Sequence, residues 1–134
     1  MTFSSPPSAD DVGVMSTDRD LAGLVRSLVG PAIRPQVWLL YLDETDRPLP
    51  LVMPFDLDLD CAEPTEIEAL AILAHEVAGH IDATQVVVVW EREGRPRPTA
   101  AERAVADAVT SCFPRGRTRL RGQFLSHSDG VVRL

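Results

Sequence analysis

Val86-Val-Val-Val-Trp90-Glu-Arg-Glu-Gly94-Arg-Pro-Arg-Pro98-Thr-Ala-Ala-Glu102 is the stretch that decides the fold. An unbroken run of β-branched and aromatic residues reads as a strand covered on both faces. Thr99 followed three residues later by Glu102 reads as a capping box that starts a helix. Gly94, Pro96 and Pro98 shape a short stiff loop between the two, so a buried strand passes directly into a helix. Loops in this position commonly carry a domain's chemistry.

Outward from this core, Leu21, Leu24, Val25, Leu28 and Val29 follow helical spacing, with Ser16 or Thr17 as cap and Gly30-Pro31 as stop. Gln36 to Leu42 and Leu49 to Phe55 read as a hairpin turning at Asp43 to Arg47, with Pro50 and Pro54 pushing the second strand to a sheet edge. Pro64 opens a second helix expected to run to about Ala78, with Gly79 as its left-handed stop. Thr84 to Trp90 is a strand, Thr99 to Cys112 a helix, and Thr118 to Ser126 and Val131 to Leu134 a hairpin around Asp129-Gly130. The order α-β-β-α-β-α-β-β predicts a single compact α/β (α+β) domain over 18–134, with a central mixed sheet flanked by helices. Residues 1–17, poor in large apolar groups, are expected to form a disordered N-terminal tail.

With 134 residues, 45% hydrophobic and 25% charged, the chain has the composition of one soluble domain. It shows neither a secretory leader nor a membrane span, and a cytoplasmic location is expected. Cys61 and Cys112, far apart and without metal-like spacing, read as free thiols. Charge is polarised: residues 1–91 carry a net −12 and residues 92–134 a net +5.

Three patterns bear on function. His75-Glu76-Val77-Ala78-Gly79-His80 resembles the His-Glu-x-x-Gly-His motif of the dipeptidyl peptidase III zinc peptidases. On a continuous helix, however, a five-residue step turns the two imidazoles roughly 140° apart, and one ion could hold both only at a bulge. The rows Arg115, Arg117, Arg119, Arg121 and Asp56, Asp58, Asp60 alternate with other residues. If extended, each row presents one charged face, either as an interaction surface or as partners for each other. The strong negative net charge and the absence of interleaved aromatics disfavour nucleic acid as the ligand of the Arg row. Trp38, Trp90 and His127 read as packing and turn residues.

The quoted stretch, with the element order around it, resembles the RadC-like branch of the JAB/MPN metalloprotease fold. In that fold a strand ends in His-x-His, followed by seven residues, a Ser, two residues and an Asp. Val89 and Glu91 fall on the two His positions, Thr99 on the Ser and Glu102 on the Asp, while Gly94, Pro96 and Pro98 match its loop wording. The resemblance spans 18–134 and implies a zinc site, but Val89 has no donor atom, and no carboxylate stands in Leu51 to Phe55 to serve as the upstream Glu. The expectation is therefore a JAB/MPN-like domain with a degenerate metal site at Val89, Glu91 and Glu102. It would have no catalytic residues and no cofactor, and would act through another protein or as a homodimer. Two other readings stand beside it: a metal-dependent hydrolase joining Glu91, Glu102 and a histidine (His75, His80 or His127), and a nucleic-acid accessory domain using the Arg row.

Overall fold

The structure, a computed structural model, describes residues 13–134. The elements are α1 (Asp18–Val29), β1 (Gln36–Leu42), β2 (Pro48–Phe55), α2 (Pro64–His80), β3 (Gln85–Glu91), α3 (Ala100–Cys112), β4 (Arg119–His127) and β5 (Gly130–Arg133). They form one small α+β domain around a five-stranded mixed sheet of order β2-β1-β3-β4-β5. β1 runs antiparallel to β2 and β3, β3 parallel to β4, and β4 antiparallel to β5.

The valine run becomes the central strand, and all seven residues of β3 are buried. Its alternate side chains sort into two cores. Val86, Val88 and Trp90 pack with Ile67, Leu70 and Ala74 of α2 and with Val105 and Val109 of α3. Val87 and Val89 pack with Leu21 and Val25 of α1. Both faces are covered, which is why this strand lacks the polar alternation of a half-exposed one.

β2 lies at one edge, as Pro50 and Pro54 require. The Leu42 carbonyl accepts from Thr84, so Leu42 and, by alternation, Trp38 face β3 and the Trp38–Pro54 pair needs no donor from Pro54, while Pro50 falls where the register slips between Val52 and Pro48. Thr17 caps α1 and Thr99 caps α3, each in a complete capping box. On α1 only Leu21 and Val25 are fully buried, and Leu28 is exposed, so the buried stripe is narrower than the periodicity predicts.

Three expectations are corrected. First, α2 does not stop at Gly79. It runs through His80, and Asp82, at φ 57°, takes the left-handed position instead, while the Ala83 N–H closes on the Ala78 carbonyl. Asp tolerates that conformation better than most residues, so the Gly79 signal competed with a second one three residues on. Second, the tail expected over residues 1–17 lies outside the described residues as far as 12, but beyond that the chain is held. Met15 is buried against the α1 core, its N–H donates to the Asp46 carbonyl and its carbonyl accepts from Arg121. Third, neither charged row is a strand stripe. Arg115 and Arg117 precede β4, and the register slip between Val86 and Val87 leaves Arg121 outside the pairing. β2 ends at Phe55, and Asp58 folds into a turn, accepting from the Asp60 N–H on its carboxylate and from the Cys61 N–H on its carbonyl.

Among the described residues, no helix is long and apolar enough to cross a membrane.

Candidate functional site

The end of β3 brings the expected site residues to one end of the sheet but divides them between its faces. Val89 lies in the α1 core, and Glu91, two residues on, shares its face. Trp90 and Arg92 take the opposite face, towards α3. Glu102, in the first turn of α3, therefore meets Arg92 rather than Glu91. The family-like spacing through Val89 and Glu91 addresses the wrong side of the strand for Glu102, and Thr99 is used as a helix cap.

Glu102 is 2% exposed, and both of its carboxylate oxygens are engaged. Arg92 donates to both oxygens, Nε to Oε2 at 2.6 Å and Nη2 to Oε1 at 2.9 Å, and the Thr99 N–H adds a third bond at 2.9 Å. A bidentate guanidinium–carboxylate pair with little solvent is the strong form of this interaction. The Arg92 hydrogen bond is the main cause holding the Glu102 carboxyl below its ordinary range. The same guanidinium donates to the carbonyls of Arg95 at 2.7 Å and Arg97 at 3.3 Å. One side chain thus fastens the strand end, the Gly94–Pro98 loop and the helix start together.

Glu91 is 1% exposed and meets no cation among the described residues; four neutral donors satisfy it instead. The N–H groups of Ile33 (2.7 Å) and Arg34 (3.3 Å) and Gln36 Nε2 (2.9 Å) donate to it, as does Trp38 Nε1 (2.8 Å). The carboxylate anchors the link between α1 and β1. A carboxylate buried with its oxygens saturated by backbone and side-chain donors is a structural anchor, not a vacant ligand.

None of the histidines joins these carboxylates. His75 packs edge-on against Phe113 with its Nδ1 unpartnered, at a cavity of about 120 Å³ that Thr118 also lines. His80 is exposed at the end of an unbroken α2, so the two imidazoles of the six-residue motif stay apart. His127, 5% exposed, accepts the Asp129 N–H on Nδ1, and burial pushes its pKa down. Among the described residues, no three of His, Cys, Asp and Glu converge as metal donors. The arrangement required by a hydrolase centre of Glu91, Glu102 and a histidine is thus not present.

At the Arg92–Glu102 pair opens a cleft of about 510 Å³, whose lining includes Asp58, Asp60, Arg95 and Arg97. Asp56 pairs with Arg34. At the opposite end of the sheet Arg121 donates to Asp46, to Gln85 Oε1 and to the Met15 carbonyl, and Arg119 also donates to Gln85. Among the described residues the Asp and Arg rows therefore do not pair with each other. Arg115 and Arg117 remain exposed.

Arg92 was missed in the sequence, although its signal was present: a charged residue at the end of an apolar strand, ten residues before the helix-start carboxylate.

No protein-family model matches the chain, and no curated protein is similar to it in sequence.

Proposed function

We propose that this chain is a non-catalytic domain of JAB/MPN-like type in which an internal ion pair closes the site at the end of β3, and that it works by binding another protein. The single observation that carries this reading is the Arg92–Glu102 pair. The carboxylate at the family's Asp-ligand position is buried, takes two bonds from a guanidinium and serves as a helix cap. A buried carboxylate already held by a bidentate guanidinium and a backbone N–H is a poor ligand for zinc, and Trp90 at the end of β3 and Arg92 just after it supply no ligand. The RadC-like resemblance contributes the element order and the loop wording. The cleft at the pair, lined by acidic and basic side chains, is the surface we assign to contacts with a protein partner. Nucleic acid is the less favoured ligand because Arg119 and Arg121, half of the Arg row, are committed to Gln85, Asp46 and Met15.

Zinc titration of the purified, chelator-treated chain by calorimetry tests the proposal. The expected result is no stoichiometric binding and no change in melting temperature. One zinc bound per chain, lost in Glu102→Gln, would overturn it.

A further inference from the structure

The two edges of the sheet differ in kind. The outer edge of β2 is interrupted by Pro48, Pro50 and Pro54, which supply no N–H to an incoming strand. β5 contains no proline.

The direction of its backbone groups follows from the bonds around it. The Arg92 N–H donates to the Ser126 carbonyl, so Ser126 faces β3, whereas the Leu134 N–H donates to the Gln123 carbonyl, so Gln123 faces β5. Val131 stands opposite Ser126 and Arg133 opposite Phe124. By the alternation of an antiparallel ladder, the N–H and C=O groups of Val131 and Arg133 therefore point away from β4, out of the sheet.

We infer that β5 is a self-association edge, at which two copies of the chain join β5 to β5 antiparallel about a two-fold axis at Val132. Two outward donors and two outward acceptors, spaced by one residue, then meet their own copies. Val131 of one chain lies opposite Arg133 of the other, which closes four backbone hydrogen bonds.

Three further observations favour a second copy as the occupant. Arg133 enters the seam with its charge already met by Asp18 at 3.2 Å and its guanidinium over the Phe124 ring, so two such edges approach without unbalanced like charges. The edge is flanked by hollows of about 210 Å³ each, one lined by Arg26, Gly30 and Val131 and the other by Ala106, Gln123 and Leu134, which leave room on both sides of the strand. Because the opposite edge is broken by proline, a β5–β5 contact closes as a dimer rather than growing into a fibre. The seam is short, below the roughly 1,600 Å² of a standard interface, so the association is in the micromolar range or weaker. This inference stands apart from the reading of the Arg92–Glu102 site, and either can fail without the other.

The test is sedimentation velocity of the full chain from about 5 to about 500 µM, a span that brackets such affinities. The wild type is expected to pass from monomer to dimer, whereas Val131→Pro, which removes an outward-facing N–H and trims a side chain packed partly against the α1 core, stays monomeric throughout with its far-UV spectrum unchanged. A wild type that is monomeric at every concentration overturns the proposal, as does a dimer indifferent to Val131→Pro. Should that variant not fold, amide exchange of the wild type decides. The Val131 and Arg133 amides gain protection of tenfold or more with concentration if the proposal holds, and show no change if it fails.

Discussion

Arg92 and Glu91 are adjacent in sequence, yet they serve opposite faces of the sheet by different physics. Arg92 neutralises a buried carboxylate, while Glu91 is a buried carboxyl group held by four uncharged donors. Arg92→Ala removes the cation and leaves Glu102 buried and unpaired, which is expected to cost about 3–5 kcal/mol in urea denaturation. Glu91→Gln points an amide at donors and is expected to cost about 2–3 kcal/mol, measured in the same way. The pair also sets an acid response. Because the folded carboxyl of Glu102 lies below its unfolded value, its contribution is complete above the ordinary carboxylate range and is lost as pH falls through the folded pKa. Melting temperature against pH is therefore expected to fall less steeply below about pH 4.5 in Glu102→Gln than in the wild type. His127, whose folded pKa is lowered by burial, adds stability above its unfolded pKa that is lost as pH drops from about 6.5. His127→Gln is expected to flatten that part of the curve.

At the scale of elements, the sequence was most legible where one local signal acted alone. The valine run, the Thr99–Glu102 capping box and the proline-marked edge strand appear in the structure where their chemistry puts them. Thr99→Ala should cost about 1 kcal/mol for the lost cap, less than Arg92→Ala because Glu102 keeps its ion pair; chemical denaturation of the two variants compares them. What could not be read were features decided by contacts distant in sequence. Parity along β3 determines that Glu91 and Glu102 are on opposite faces, but spacing alone counts residues without saying which face the helix start reaches. The Arg row looked like a strand stripe because alternation is a local pattern. Its break at Arg121 is set by the register against β3 and by the Asp46, Gln85 and Met15 groups that Arg121 holds, none of them near it in sequence.

For the whole molecule, the charge asymmetry between 1–91 and 92–134 does not become two separate charged ends. At the end where β3 finishes, Asp58, Asp60, Arg95 and Arg97 line one cleft, and at the other end Arg121 sits beside Asp46. Acidic and basic stretches are folded against each other, which weakens any long-range field for a polyanion. Binding of duplex DNA is accordingly expected to be undetectable at about 0.15 M salt, where screening acts over about 8 Å. A fluorescence-anisotropy titration checks this, and tight binding reduced by Arg115→Glu with Arg117→Glu would contradict it.

The central claim is that Glu102 is a structural partner of Arg92 and not a vacant metal ligand. The most direct measurement is the unfolding free energy of Glu102→Gln in urea, with metal chelated throughout. A structural role predicts a loss of about 2–4 kcal/mol, since the substitution leaves Arg92 without its carboxylate at a nearly closed site. A gain in stability, or none lost, is the behaviour of a residue kept for chemistry at the expense of the fold, and would contradict the account.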